Sequence, residues 1–232
     1  MKKTIGIVIG IGLLLLLGCA APTPTPSPTP SSIPATATPT PAPSRTPAPL
    51  PPPPRVLVIP REGSRVTEVN LTNELGVMIS MLEQAGFQVV VASASGQPFV
   101  GRTTTVETDL ELADVKVADY VGFILPCMAQ GLPGPVPPEA LEIVREAVAE
   151  GKPVAAQYGS VVILHEAGVL EGKKYAFEYH KFSEGIYSGT GVVQDGNIIT
   201  SATCSYRAKV TGRRDGTPEL TQKLIDLLAH LL

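Results

Sequence analysis

The chain has little to offer a polyanion. Its 18 Lys and Arg against 21 Asp and Glu leave a formal net charge of -3, and no stretch gathers its bases into a stripe. Nucleic acid is therefore excluded as an expected partner. Histidine and cysteine are scarce, three of each, and they lie scattered without the short spacings of metal-ligand pairs, so neither a metal nor a cofactor is expected. Long apolar runs are missing too. The longest, Ile5 to Leu17, falls short of the roughly 20 residues that span a bilayer. Proline is plentiful but unevenly spread, with 15 of the 24 between Pro22 and Pro54. One folded domain is the expectation, over the 178 residues from Arg55 to Leu232. A chain of that size buries about 70% of its unfolded surface without a metal or disulfide staple.

The segment ahead of that domain reads as address and spacer. Lys2 and Lys3, the apolar run and Leu16-Leu17-Gly18-Cys19 give residues 1–19 the layout of a signal peptide. The last four resemble the bacterial lipobox. That resemblance implies a diacylglyceryl group on Cys19, a mature chain that starts there, and a protein anchored to the cell membrane by lipid, facing the extracytoplasmic side; an uncleaved anchor is the alternative. Residues 20–54 alternate Pro with Thr, Ser and Ala. Such a sequence buries too little to offset its folding entropy and reads as a disordered linker. In polyproline II form it reaches up to roughly 100 Å.

From Arg55 on, strand and helix signals alternate. Arg55 to Ile59 is a short aliphatic run ended by Pro60, and Gln88 to Ser93 is a second. Between them Leu71, Leu75, Met78, Ile79 and Leu82 recur at helical spacing up to Ala85-Gly86. The pattern is a βαβ unit. Thr103 to Val117 suggests a short strand or hairpin. Val121 to Leu125 is a third strand, and Pro137-Pro138-Glu139 opens a helix that runs to Gly151. Val192 to Thr200, centred on Asp195-Gly196, reads as a hairpin. Thr217 caps a last helix with Pro218 in its first turn and a stripe of Leu220, Leu224, Leu227, Leu228 and Leu231. The fold class is α/β, a sandwich with a mainly parallel sheet.

The stretch Lys152 to Lys174 organises the rest. Val154, Ala155 and Ala156 form a small, apolar strand fit for burial. Gly159 and Ser160 permit a sharp turn, Val161 to Leu164 begin a helix, and Gly168 ends it. Strand, tight turn and helix in that order put Tyr158 where an α/β hydrolase holds its nucleophile. A phenol with pKa about 10 is roughly 0.1% ionised at pH 7, and a nearby carboxylate lowers that fraction. Tyr158 is thus a poor nucleophile. It remains able to donate a hydrogen bond or to fill space.

The segments RVLVIP, LEQAGFQVVVAS, ADYVGFILP, KPVAAQYGSVVILHEAGVLEGKK and VVQDGNIITS together resemble the ThiJ/PfpI family, in the class I glutamine amidotransferase-like superfamily. The likeness covers nearly all of residues 55–201. It implies a flavodoxin-like three-layer sandwich, often dimeric, over residues 55–232. Typical members carry AAICHG, with cysteine at the turn, where this chain has Tyr158 and Gly159. They carry Pro-Gly-Gly after the third strand, its amides supporting an oxyanion, where this chain has Pro126-Cys127-Met128. Their turn cysteine hydrogen-bonds a glutamate, which Glu74 matches by standing twelve residues before Gly86. Glu178 lies near the place of a second histidine found in some members.

The candidate catalytic residues are accordingly Glu74, Tyr158 and Cys127, none of them a complete set. The candidate ligand contacts are Glu74, Cys127, Met128, Tyr158, Gly159 and Cys204, and Cys19 is the lipidation site. Once Cys19 is lipidated, Cys127 and Cys204 form an even pair, for which a disulfide is chemically allowed; the alternatives are a relocated catalytic thiol at Cys127 or two unpaired cysteines. His165 and His180 carry no recognisable role. Three readings follow. The first is a non-catalytic, tethered domain that binds a small ligand or a protein. The second is a divergent hydrolase or glyoxalase-type enzyme built on Glu74 with Tyr158 or Cys127, and the third is a structural or chaperone-like homodimer.

Overall fold

The computed structural model describes residues 51–62, 68–128, 135–178 and 181–232. The signal segment with Cys19, all but the end of the linker, and His180 lie outside the described residues. Among the described residues eleven strands occur in chain order: β1 (Arg55–Val58), β2 (Gln88–Ser93), β3 (Phe99–Val100), β4 (Thr105–Val106), β5 (Leu110–Glu111), β6 (Gly122–Leu125), β7 (Val154–Gln157), β8 (Lys174–Tyr175), β9 (Ile186–Tyr187), β10 (Val192–Asp195) and β11 (Ile198–Ser201). The helices are α1 (Gly76–Gln84), preceded by a π-helical turn over Asn70–Leu75, α2 (Pro138–Ala149), α3 (Val161–Glu166), α4 (Ser205–Thr211) and α5 (Thr217–Leu231).

Seven strands form one sheet in the order β10-β11-β7-β6-β1-β2-β5. All its neighbours are parallel except the hairpin pair β10 and β11. Two-residue periodicity along β1 explains the layering. Leu57 and Ile59 enter one core with Phe123, Leu125, Val144, Ile163 and Leu164, below α2 and α3. Val56 and Val58 enter the other with Leu75, Met78, Leu82, Leu220, Leu224 and Leu228, below α1 and α5. The result is the α/β three-layer sandwich expected from the sequence. Among the described residues no helix is long and apolar enough to cross a membrane.

Several local readings change. The segment read as one strand or hairpin over Thr103 to Val117 is three things. β3 pairs antiparallel with β4, β5 adds an edge strand parallel to β2, and two 3-10 turns follow at Leu112–Asp114 and Val117–Asp119. Thr217 is the first residue of α5 and not its cap. The carboxylate of Asp215 accepts hydrogen bonds from the Thr217 N–H and hydroxyl, at 2.9 and 2.7 Å, so the short acceptor that satisfies an orphan donor sits two residues earlier. Gly216 between them is required by space. A Cβ there would fall 2.1 Å from Ser201 Oγ and 2.9 Å from the Thr203 carbonyl. Helix α4 and the parallel pair β8 and β9 had no strong apolar period to announce them.

Candidate functional site

The turn after β7 is sharper than Gly159 and Ser160 alone suggest, because the left-handed residue is Tyr158 itself, with φ 44°. A side chain in that region costs roughly 1–2 kcal/mol against glycine, so surrounding contacts must hold it. They are visible on three sides. Arg61, just past β1, donates from Nη1 to the Gly159 carbonyl at 2.8 Å. Ser160 Oγ donates to the Pro126 carbonyl at the end of β6, at 2.7 Å. Gln157 Nε2 donates to the Thr203 carbonyl and to Thr217 Oγ1, both at 3.0 Å. The turn is thereby fastened to the ends of β1, β6 and β11.

The second strained non-glycine residue among those described is Met128, with φ 48°. It follows Cys127 at the end of β6, where the resemblance places glycines. Both stand at the carboxyl edge of the parallel sheet, the edge at which open α/β folds collect ligands. Strain gathered at one place over-determined by its neighbours is a mark of a functional position.

Glu74 enters this edge from the π-helical turn ahead of α1 and is fully buried. Its Oε1 accepts the Cys127 N–H at 2.6 Å and its Oε2 accepts from Asn70 Nδ2 at 3.1 Å; the Met128 N–H also donates to it. Burial outweighs these donors and pushes the carboxyl up to about 7. Asn70 and Glu74, four residues apart and so on one helical face, both lie buried in this π-helical turn, a feature common at functional sites. The twelve-residue spacing finds Glu74, but no sequence signal marks Asn70 or the bulge.

Cys127 and Cys204 are buried free thiols that pack with Tyr158 and, at their margin, Tyr206. No disulfide joins them. Cys204 lies after β11 at the head of α4, and its thiol is pushed up first by its hydrogen bond with Cys127 and then by burial. The Glu74 carboxylate and both sulfur atoms lie within 4.8 Å of one another. Burial pulls the Arg61 guanidinium below its ordinary value, while nearby Cys127 and Glu166 act the other way. The fold thus brings Glu74, Cys127, Met128, Tyr158, Gly159 and Cys204 to one edge, and adds Arg61, Asn70 and Ser160, which sequence reasoning missed. Arg61 could have been suspected as a lone base directly after a buried strand.

Tyr158 is 6% exposed, and its ring meets Phe177 edge-on at 6.1 Å. The turn is filled. A small depression lies beside it, lined by Ile59, Pro60, Arg61, Leu112, Pro137 and Ile163. The other polar candidates are engaged elsewhere. Glu178 grips Arg207 through two hydrogen bonds of 3.0 and 3.1 Å and also meets Arg213, and its carboxyl is held low by Arg207. His165 stacks on Phe182 with centroids 4.1 Å apart and bonds to Glu184 through Nδ1.

An uncharacterised protein of Archaeoglobus fulgidus is 34% identical over 134 residues, covering 55% of this chain and 80% of its own. One from Methanocaldococcus jannaschii is 32% identical over 147 residues, covering 57% of this chain and 69% of its own. The crystal structure of a ThiJ/PfpI domain protein from Brachyspira murdochii matches with TM-score 0.57 and 17% identity, over 77% of this chain and 98% of that one. Oxidised DJ-1 from Toxoplasma gondii matches with TM-score 0.51 and 21% identity, over 75% of this chain and 97% of that one. The model of the DJ-1/PfpI family matches residues 55–210. That match spans more than half of the chain, and the chain belongs to the DJ-1/PfpI family.

Proposed function

We propose that this is a lipid-anchored DJ-1/PfpI domain that has given up nucleophilic chemistry at its turn and works as a binding module on the extracytoplasmic face of the membrane. One observation carries the reading. The residue held at φ 44° where the family resemblance places a cysteine is a buried phenol, Tyr158, packed against Cys127 and Cys204. The amides of Cys127 and Met128, which would support an oxyanion, already donate to Glu74. Nucleophile and oxyanion donors are both committed to the interior. A ligand is then served by the depression beside Arg61, with residues 20–54 as the spacer from Cys19.

A second reading rests on a different observation, the Cys127 thiol close to a carboxyl that titrates near neutrality. That pairing would suit a divergent hydrolase or glyoxalase. Turnover of methylglyoxal and of peptides by the full chain in detergent separates the two. Rates equal to those of Glu74→Gln and Cys127→Ser, and to buffer, support the binding module. Turnover lost in both variants, or a covalent adduct on Cys127, sinks it. A screen of small metabolites by thermal shift then identifies the ligand, since one that binds only the native state raises Tm by mass action.

A further inference from the structure

Three buried side chains from distant parts of the chain meet at the sheet edge. Glu74 comes from the turn ahead of α1, Cys127 from the end of β6 and Cys204 from the end of β11, and their ligand atoms lie within 4.8 Å of one another. The sequence spacing that argued against a metal is irrelevant to such a meeting, because topology and not local sequence assembles it. We propose that Glu74, Cys127 and Cys204 bind a single zinc ion.

The donor set selects the metal. Two sulfurs and one carboxylate oxygen suit a thiophilic cation, whereas calcium and magnesium require six or more oxygen ligands. Around tetrahedral zinc, with Zn–S about 2.3 Å and Zn–O about 2.0–2.2 Å, donor atoms stand roughly 3.5–3.8 Å apart. The observed limit of 4.8 Å therefore closes by at most roughly 1.0–1.3 Å, within reach of rotation of the two thiols. Three protein ligands leave the fourth position to an exogenous ligand.

The surroundings are those of a supported site. Glu74 is aimed by Asn70 Nδ2 and by the N–H groups of Cys127 and Met128, and these three donors leave one of the carboxylate's four lone-pair sites for a metal. Outer contacts of this kind orient ligands and raise affinity. Charge closes as well. Zn²⁺ replaces two thiol protons, which leave to solvent, and with the Glu74 carboxylate forms a centre of charge -1. The Arg61 guanidinium, buried and coupled to Cys127, offsets it, so no net charge is left in the interior. The zinc site stands whether or not the turn is catalytic.

The test uses the full chain in detergent, reduced, stripped with a chelator and dialysed against zinc. One zinc per chain retained through gel filtration, between about two and three protons released per ion at pH 7, two from the thiols and the remainder from Glu74, and a higher Tm are expected. Cobalt in place of zinc should give thiolate charge-transfer absorption. Cys204→Ser and Cys127→Ser should each weaken zinc binding by at least about 100-fold. Should either variant fail to melt cooperatively, the proton count and the cobalt spectrum of the unaltered chain decide alone. Absence of stoichiometric zinc would overturn the proposal, as would exclusive binding of Cu(I). So would a natively isolated chain two hydrogens lighter, with Cys127 and Cys204 joined as a cystine.

Discussion

Glu68 and Glu74 stand six residues apart on one helical segment, and each carboxylate accepts backbone N–H groups from a loop remote in sequence. Glu68 lies at the surface and gathers Arg102 N–H at 2.8 Å, Thr103 N–H at 3.0 Å and the hydroxyls of Thr103 and Thr104. Those hydrogen bonds hold it down to about 2. Glu74 has comparable donors and titrates near 7, because burial dominates. The same contact type therefore produces a permanent anion at the rim and a switchable acid in the interior, according to whether water remains. The rim carboxylate organises the turn between β3 and β4. The interior one organises the turn that follows β6, beside Tyr158 and the two thiols.

The sharpest way to break the interior half is to remove the ring that fills it. Tyr158→Ala should destabilise the domain by about 3 kcal/mol, the range for deleting a buried aromatic side chain, read as a lower urea midpoint at unchanged slope. Tyr158→Gly should recover about 1 kcal/mol of that loss, because glycine accepts φ 44° without strain. Equal stability of the two variants would mean that the left-handed turn carries no cost.

Glu74→Gln tests the same region through pH. A carboxyl raised from an ordinary 4.5 to about 7 favours the native state fully below pH 4.5, and that contribution is lost as pH rises through 7. In chelator, the unaltered chain should therefore lose about 3 kcal/mol relative to Glu74→Gln between those limits, at 1.36 kcal/mol per pH unit. The amide keeps an acceptor for the Cys127 N–H. Parallel pH profiles for the two proteins would show that Glu74 is already ionised when folded.

These interior features differ in how far they could be read from residues alone. Strands β1, β2, β6 and β7 are short aliphatic runs fit for burial on both faces, and helix α5 carries its apolar stripe in plain view, so the layers were legible. Glu74 was legible through its distance from Gly86, and Tyr158 through its place between strand and helix. Cys127 and Cys204 are legible as candidate ligand contacts, but their meeting with Glu74 depends on β11 lying next to β7 and β7 next to β6. No local pattern encodes that adjacency. Arg61 and Ser160 act through hydrogen bonds to residues remote in sequence and Asn70 through one to Glu74 inside the π-helical turn, while Gly216, not Thr217, is the N-cap of α5, with Asp215 accepting from Thr217.

The rim half is sharpened by the mildest change. Glu68→Gln keeps the shape and one acceptor oxygen but removes the charge that strengthens four hydrogen bonds. A carboxyl held near 2 supports the native state above about pH 4.5, and this support fades as pH falls through 2. At neutral pH the variant should thus show a small, local effect: faster amide exchange at Arg102 and Thr103, with the global urea midpoint nearly unchanged because the clamp is exposed to water and salt. Exchange at Cys127, on the buried carboxylate, should not move. If it rises together with that at Arg102, the two carboxylates share one opening unit, and the division between a solvated rim and a dry interior fails.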